Sequence, residues 1–270
     1  MERMSELGLD DARRAAIGQC VADEGARREH LVVALAGSWG YGFPSPQSYV
    51  DLKSVHVAPT AALLGFTPPE PAVEHIAVRH GVSVDYSSNE VSQVLAGVLA
   101  GNGNYLERLL APRVVAATPD LETLRPLVQD CLSRRVIRHY HGFATGQRRL
   151  FEREPTVKKL LYVARTALTG AHLLREGAYE GDLAALLRRG GHDELLALLE
   201  ARRRGAPDVD EALRGRWAGP LDAMLDGLQR AHDESPLPDA PRGQDALLDW
   251  LLALRRSRFG GRPSGIDRSG

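Results

Sequence analysis

The sequence predicts an α+β fold: a small head built on a mixed β-sheet, residues 1–112, followed by a helical body, residues 113–258. Three observations carry this reading. Short apolar runs of strand character are confined to the first third of the chain. From Leu121 to Arg258 apolar residues recur instead at three- and four-residue spacing, as in Leu183, Leu186 and Leu187, then Leu195, Leu196 and Leu199. The length of 270 residues with 43% hydrophobic content is enough for one large core or two modest ones.

Taken in order, residues 11–30 are polar, alanine-rich and helical in composition. Leu31 to Ala36 is a continuous apolar run ending at Gly37, the mark of a buried strand. Trp39 to Ser48 is dense in glycine, proline and serine and predicts a loop. Val50, Leu52, Val55 and Val57 pattern a second strand, and Val82–Tyr86 a third, opened by Gly81. After residue 87 the text turns helical. Ser87 with Glu90, and Asn104 with Glu107, each have the form of a capping box. Pro119-Asp120, Pro155 and Pro207-Asp208 open later helices, as first-turn residues do. A proline-rich connector, residues 234–243, precedes a last helix at Gln244–Arg258, and residues 259–270 form a polar tail expected to be disordered.

Composition removes several function classes. Lys+Arg number 34 against 35 Asp+Glu, a formal net charge of -1, which argues against a chain-wide basic surface for nucleic acid. No apolar run approaches the roughly 20 residues that span a bilayer, and Met1–Asp10 has no apolar signal core. Cys20 and Cys131 lack metal-ligand spacing and read as reduced thiols, so the expectation is a cytoplasmic protein with no membrane partner. Only Lys53, Lys158 and Lys159 are lysines; the other basic residues are arginines, the coding bias of a GC-rich, bacterial genome.

The informative stretch is Gly37-Ser38, a ten-residue gap, then Tyr49-Val50-Asp51. A glycine-serine pair leaving a buried strand presents backbone N–H groups and a hydroxyl that can hold phosphate oxygens; alone, such a pair is more often a simple turn. Positions 49 and 51 share one face of the following strand. Carboxylates there would hold Mg²⁺ between nucleotide phosphates and an attacking hydroxyl. In the stretch 156–176, Lys158, Tyr162, Arg165, Thr169 and His172 fall on a face distinct from the apolar stripe Val157, Leu160, Leu161, Ala164, Leu168 and Ala171. That face would suit a triphosphate or an RNA backbone, and equally a wetted surface. His139 and His141, two apart on a helix, point to different sides and are not read as metal ligands. Arg134, Arg135, Arg138, Arg148 and Arg149 form a basic cluster that is a weaker candidate for nucleic acid. Trp217 and Trp250 read as core.

The segment Gly37–Lys53 resembles the DNA polymerase beta-type nucleotidyltransferase superfamily, in its RNA-repair-associated branch. The resemblance continues through Val84-Asp85, Gly101–Glu107, His139–Gly142 and Lys158–Arg165, and so covers roughly residues 30–175. It implies a nucleoside triphosphate substrate, Mg²⁺ or Mn²⁺ at Asp51 and Asp85, and phosphate contacts from Gly37, Ser38, Lys158, Tyr162 and Arg165. It also implies transfer of a nucleoside monophosphate to an acceptor hydroxyl with release of pyrophosphate, an RNA end being one such acceptor. One departure stands out. Tyr49 occupies the place of the family's first aspartate, and a phenol with a pKa near ~10 is a poor ligand for a hard cation. Gln47 cannot supply the charge, and nothing in the spacing requires Glu70 or Glu74 to do so. The alternatives are a catalytically inactive nucleotide-binding protein and an interaction module whose function resides in the helical body.

Overall fold

The computed structural model describes residues 8–207 and 212–259. Asp208 and the tail from residue 260 lie outside them. In chain order the elements are α1 (Asp11–Gly25), β1 (Glu29–Ala36), the single turn α2 (Gly37–Gly40), β2 (Val50–Val57), α3 (Thr60–Leu63), β3 (Ala72–Arg79), β4 (Val82–Glu90), α4 (Val91–Leu99), α5 (Gly103–Leu110) and β5 (Val114–Ala117). Helices then follow without interruption by strand among the described residues: α6 (Asp120–Asp130), α7 (Val136–Arg153), α8 (Val157–Glu176), α9 (Leu183–Gly190), α10 (Asp193–Arg203), α11 (Leu213–Asp233) and α12 (Gln244–Ser257). The α+β class read from the sequence is the class observed.

The sheet runs β3-β4-β2-β1-β5. Only β2 and β4 are parallel; the other pairs are antiparallel. Two strands escaped the sequence reading. β3 alternates exposed and half-buried residues at the sheet edge, so it never forms an apolar run. β5 is four residues long and lies past Pro112, where the head was expected to end. β4 is also longer than read and continues to Glu90, so Ser87 is a strand residue. The capping-box reading of Ser87 is therefore wrong: Glu90 itself caps α4, accepting from Ser92 N at 2.7 Å. Parallel pairing with β2 extends β4 through polar text that carries no strand signal of its own.

One sheet face packs on α1, where Ala16, Ile17 and Cys20 meet Val33, Leu35, Leu52 and Tyr86. At the other end of the sheet, Val32, Val55 and Val57 join a core with α4, α5, α6, α7, α8, α11 and α12. A second core lies within the helices and takes in Trp217 and Phe43. Trp250 is only half-buried, donating its indole N–H to Thr123 Oγ1 at 2.9 Å. No described helix is long and apolar enough to cross a membrane.

Helix α8 is buried on nearly every side, because α7, α9, α10 and α11 all pack on it. The closest approach is at Gly170, where a Cβ would stand 2.6 Å from Tyr140 Cβ on α7 and 3.0 Å from Leu228 on α11. Gly170→Val is expected to force these helices apart and destabilise the protein by about 1–3 kcal/mol, the usual range for overpacking. A thermal melt of the purified variant reads this as a drop of several degrees; an unchanged midpoint would contradict the packing.

Candidate active site

The β2 side chains alternate between the two faces of the sheet. Leu52 points to α1, while Asp51 and Lys53 point the other way. The register with β4 sets Asp51 opposite Asp85 and Lys53 opposite Ser87. On the same face, Ala36 and Ala34 of β1 stand opposite Asp51 and Lys53, and their small side chains leave room above the sheet. The room is a cavity of about 390 Å³, within the size range of small-ligand sites. Its wall includes Gly37, Tyr49, Asp51, Lys53, Glu74, Ser87, Asn89, Asn104 and Arg108, with Tyr41, Glu107, Tyr162 and Arg165 also contributing.

Gly37 starts the turn that leaves β1 at φ +56°, a left-handed backbone that favours glycine. A Cβ there would collide with the carboxylate of Asp51. This close approach puts the backbone of the turn beside Asp51. Ser38 is buried beneath the turn and does not line the cavity. The loop that follows is held by three arginines. Arg113 donates to Trp39 O at 2.6 Å, Arg203 Nε to Gly42 O at 2.8 Å, and Arg13 to Pro46 O at 2.6 Å.

Asp51 is 8% exposed, and burial raises its pKa to about 6; the neighbouring Asp85 also pushes it up, against Lys53 and Lys158. Asp85 Oδ2 lies 3.7 Å from Lys53 Nζ, while its buried Oδ1 has no hydrogen-bond partner. Tyr49 is 43% exposed; burial and the two aspartates raise its phenol further above its ordinary value. Lys158 Nζ sits over the Tyr49 ring at 5.5 Å, a cation–π contact. Two facing carboxylates with an orphaned oxygen form a donor set that fits one hard divalent cation. They do not amount to a three-carboxylate site: among the described residues no cluster of three His, Cys, Asp or Glu could hold a metal. Glu74 of β3 shares this sheet face, opposite Ser87, but is exposed at the edge strand.

The face proposed along α8 divides. Lys158 reaches Tyr49 and Tyr162 lines the cavity, its ring edge-on to Phe43 at 5.1 Å. Arg165 is 3% exposed: its Nη1 donates to Glu107 Oε1 at 2.6 Å and its guanidinium lies 3.6 Å over the Tyr41 ring. Thr169 is fully buried and donates to Glu180 O. The face suits a triphosphate in sequence because no acid interrupts it; the acid that answers Arg165 comes from α5. Glu107 was read as a capping residue, yet Asn102 caps α5 and Glu107 accepts from Tyr41 at 2.7 Å and Tyr140 at 3.2 Å as well. The basic cluster is likewise engaged internally: Arg134 donates to Ser235 O and Leu237 O, Arg135 to Leu99 O, and Arg148 to Asp222.

Two outcomes test this geometry. The folded pKa of Asp51, about 6, is above the unfolded value near ~3.9, so the native state binds the proton more tightly. Stability is therefore lost as pH rises between these values. In EDTA at pH 7.5, Asp51→Asn should be more stable than the unaltered chain by about 2–3 kcal/mol, a gap that closes near pH 4. Denaturant melts at both pH values measure it. Adding Mn²⁺ should raise the midpoint of the unaltered chain and leave Asp51→Asn unmoved. Gly37→Ala should melt lower than the unaltered chain, because it strains the backbone and strikes Asp51.

Comparison with known proteins bears on this site. An uncharacterized protein of Methanocaldococcus jannaschii, MJ0002, is 25% identical over 215 residues, covering 78% of this chain and 88% of its own. A nucleotidyltransferase-like protein from Exiguobacterium sibiricum 255-15 aligns over 91% of this chain and 80% of its own, with 13% identity and a TM-score of 0.34. The sequence model described as the RNA repair pathway DNA polymerase beta family (RlaP) matches residues 21–253, a span that holds the sheet, the cavity and most of the helical body. The chain belongs to the RNA repair pathway DNA polymerase beta family.

Proposed function

We propose that the protein transfers a nucleoside monophosphate from a nucleoside triphosphate to an acceptor hydroxyl, with an RNA end as the acceptor. The observation that carries this reading is the placement of Asp51 and Asp85 on neighbouring strands, beside the Gly37 turn, at the edge of the cavity. Family membership supports the nucleotide as substrate and the RNA end as acceptor. Backbone N–H groups of the turn beginning at Gly37 would receive phosphate oxygens. Lys53 and Lys158, both acting electrostatically on Asp51, bring positive charge to the same end of the cavity. Tyr162 and Tyr41 supply ring surface for the nucleoside. Asp51 and Asp85 would hold Mg²⁺ or Mn²⁺, which when bound would stabilise charge developing on the transferred phosphate and on pyrophosphate. A carboxylate with a pKa of about 6 is ionised at neutral pH and available for that role.

Tyr49 favours a second reading. It stands beside Asp51 where a carboxylate would complete the metal site, and the Lys158 ammonium is placed over its ring. In that reading the cavity binds a nucleotide without turning it over.

The two readings part in one assay. Pyrophosphate release is measured with each NTP and Mg²⁺ or Mn²⁺, using an RNA acceptor, for the unaltered chain, Asp51→Asn and Tyr49→Asp. Transfer predicts release by the unaltered chain and a loss of at least about 100-fold in Asp51→Asn, as befits removal of charge stabilisation at the reacting phosphate. Release that appears only in Tyr49→Asp establishes the inactive nucleotide-binding protein instead.

A further inference from the structure

Arg108, on α5, is a cation that the fold positions and leaves without a counter-charge. Its Nη1 donates to Ser54 O at 2.8 Å and its Nη2 to Ser87 Oγ at 3.3 Å, while its Nε is buried with no hydrogen-bond partner. No described carboxylate forms an ion pair with it; Glu74 acts on it only at longer range. Burial lowers its pKa, the sign of a charge held partly out of water without full compensation. Several other arginines of this chain carry an acid partner. Arg165 has Glu107, Arg148 has Asp222 and Glu152, and Arg255 has Glu90.

What surrounds Arg108 has the chemistry of an anion receptor. Ser87, which accepts from Arg108, stands opposite Lys53 across the β2–β4 register, so a hydroxyl lies between two cations on the cavity wall. Asn104 lines the same cavity, as does Asn89, whose amide also donates to Gln93 Oε1 at 2.9 Å. The group that best satisfies a forked guanidinium, an ammonium and a hydroxyl together is a phosphoryl oxyanion. The opposing charges are Asp85, 3.7 Å from Lys53, and Glu74, exposed on the edge strand.

We propose that Arg108, Ser87 and Lys53 form an anion subsite on the β4–α5 side of the cavity, which takes a phosphoryl group of the bound ligand. This rests on the reading of the cavity as a nucleotide-transfer site but does not require turnover. The phosphoryl group has two sources: the nucleotide's own phosphates, or a terminal phosphate on the acceptor.

The test is calorimetric titration of the full chain in EDTA, where no transfer occurs, with pyrophosphate, with ATP, and with one short RNA in 5′-phosphorylated and unphosphorylated forms. Variants are Arg108→Gln, Arg108→Lys and Ser87→Ala, with Arg256→Gln, an exposed position off the cavity, as control. Affinity for at least one phosphorylated ligand should fall at least 10-fold in Arg108→Gln, fall less in Arg108→Lys and hold in Arg256→Gln. If ATP and pyrophosphate weaken, the nucleotide is the source. If only the preference for phosphorylated over unphosphorylated RNA disappears, the acceptor is. Should Arg108→Gln fail to fold, Ser87→Ala, which leaves the bond to Ser54 in place, must show the same loss. The proposal is overturned if the unaltered chain binds none of these ligands, or if the folded variants bind all of them as tightly as it does. A chain that binds through Arg108 yet releases no pyrophosphate with Mg²⁺ sinks the transfer reading and keeps the subsite.

Discussion

Glu107 is the side chain on which the architecture around the cavity depends. One carboxylate on α5 accepts from Arg165 of α8, Tyr41 of the loop after the Gly37 turn, and Tyr140 of α7. Burying an ion pair is costly unless nearly every donor and acceptor is satisfied, and here two phenols complete the shell of the acid. Stacking of the guanidinium on the Tyr41 ring adds a further constraint on its orientation. The pair joins the element after the sheet's turn to the helical core and fixes the distance across which a ligand must fit.

The arginine-rich composition acquires a physical meaning from this frame. Near-neutral net charge with so many arginines indicates a chain that answers most of its own charge. Arg13, Arg113 and Arg203 hold the carbonyls of the loop over the turn. Arg125 and Arg134 do the same for the ends of α5 and for the connector before α12. A planar fork with five donors reaches two carbonyls at once, which suits it to tying down irregular backbone. Against that background a half-buried arginine on a cavity wall with no acid partner is the exception, and function is the natural explanation for exceptions of that kind.

The two carboxylates of the site lie among charged and phenolic neighbours. Asp51 and Asp85 face one another, with Lys53 beside Asp85 and Tyr49 beside Asp51. The raised pKa of Asp51 records the burial and like-charge repulsion that a bound cation would relieve. Tyr49 removes one negative charge from this set, which lowers the repulsion in the absence of metal and weakens the hold on a cation in the same stroke.

The sequence by itself determined the class of the fold, β2 to the residue, and the turn at Gly37. All of these are written in local signals: an apolar run, a period of two, a glycine where the backbone turns left-handed. It missed β3 and β5, because an edge strand and a four-residue strand bury too little to leave a run. It misread Ser87 and Glu107 as capping pairs and did not foresee that Glu107 answers Arg165, because short spacings that look like caps carry no information about partners 58 residues away. Arg108 had no local mark at all. Only the tertiary structure could show that its guanidinium has carbonyl and hydroxyl partners but no acid, since that property belongs to what surrounds the side chain rather than to the chain that carries it.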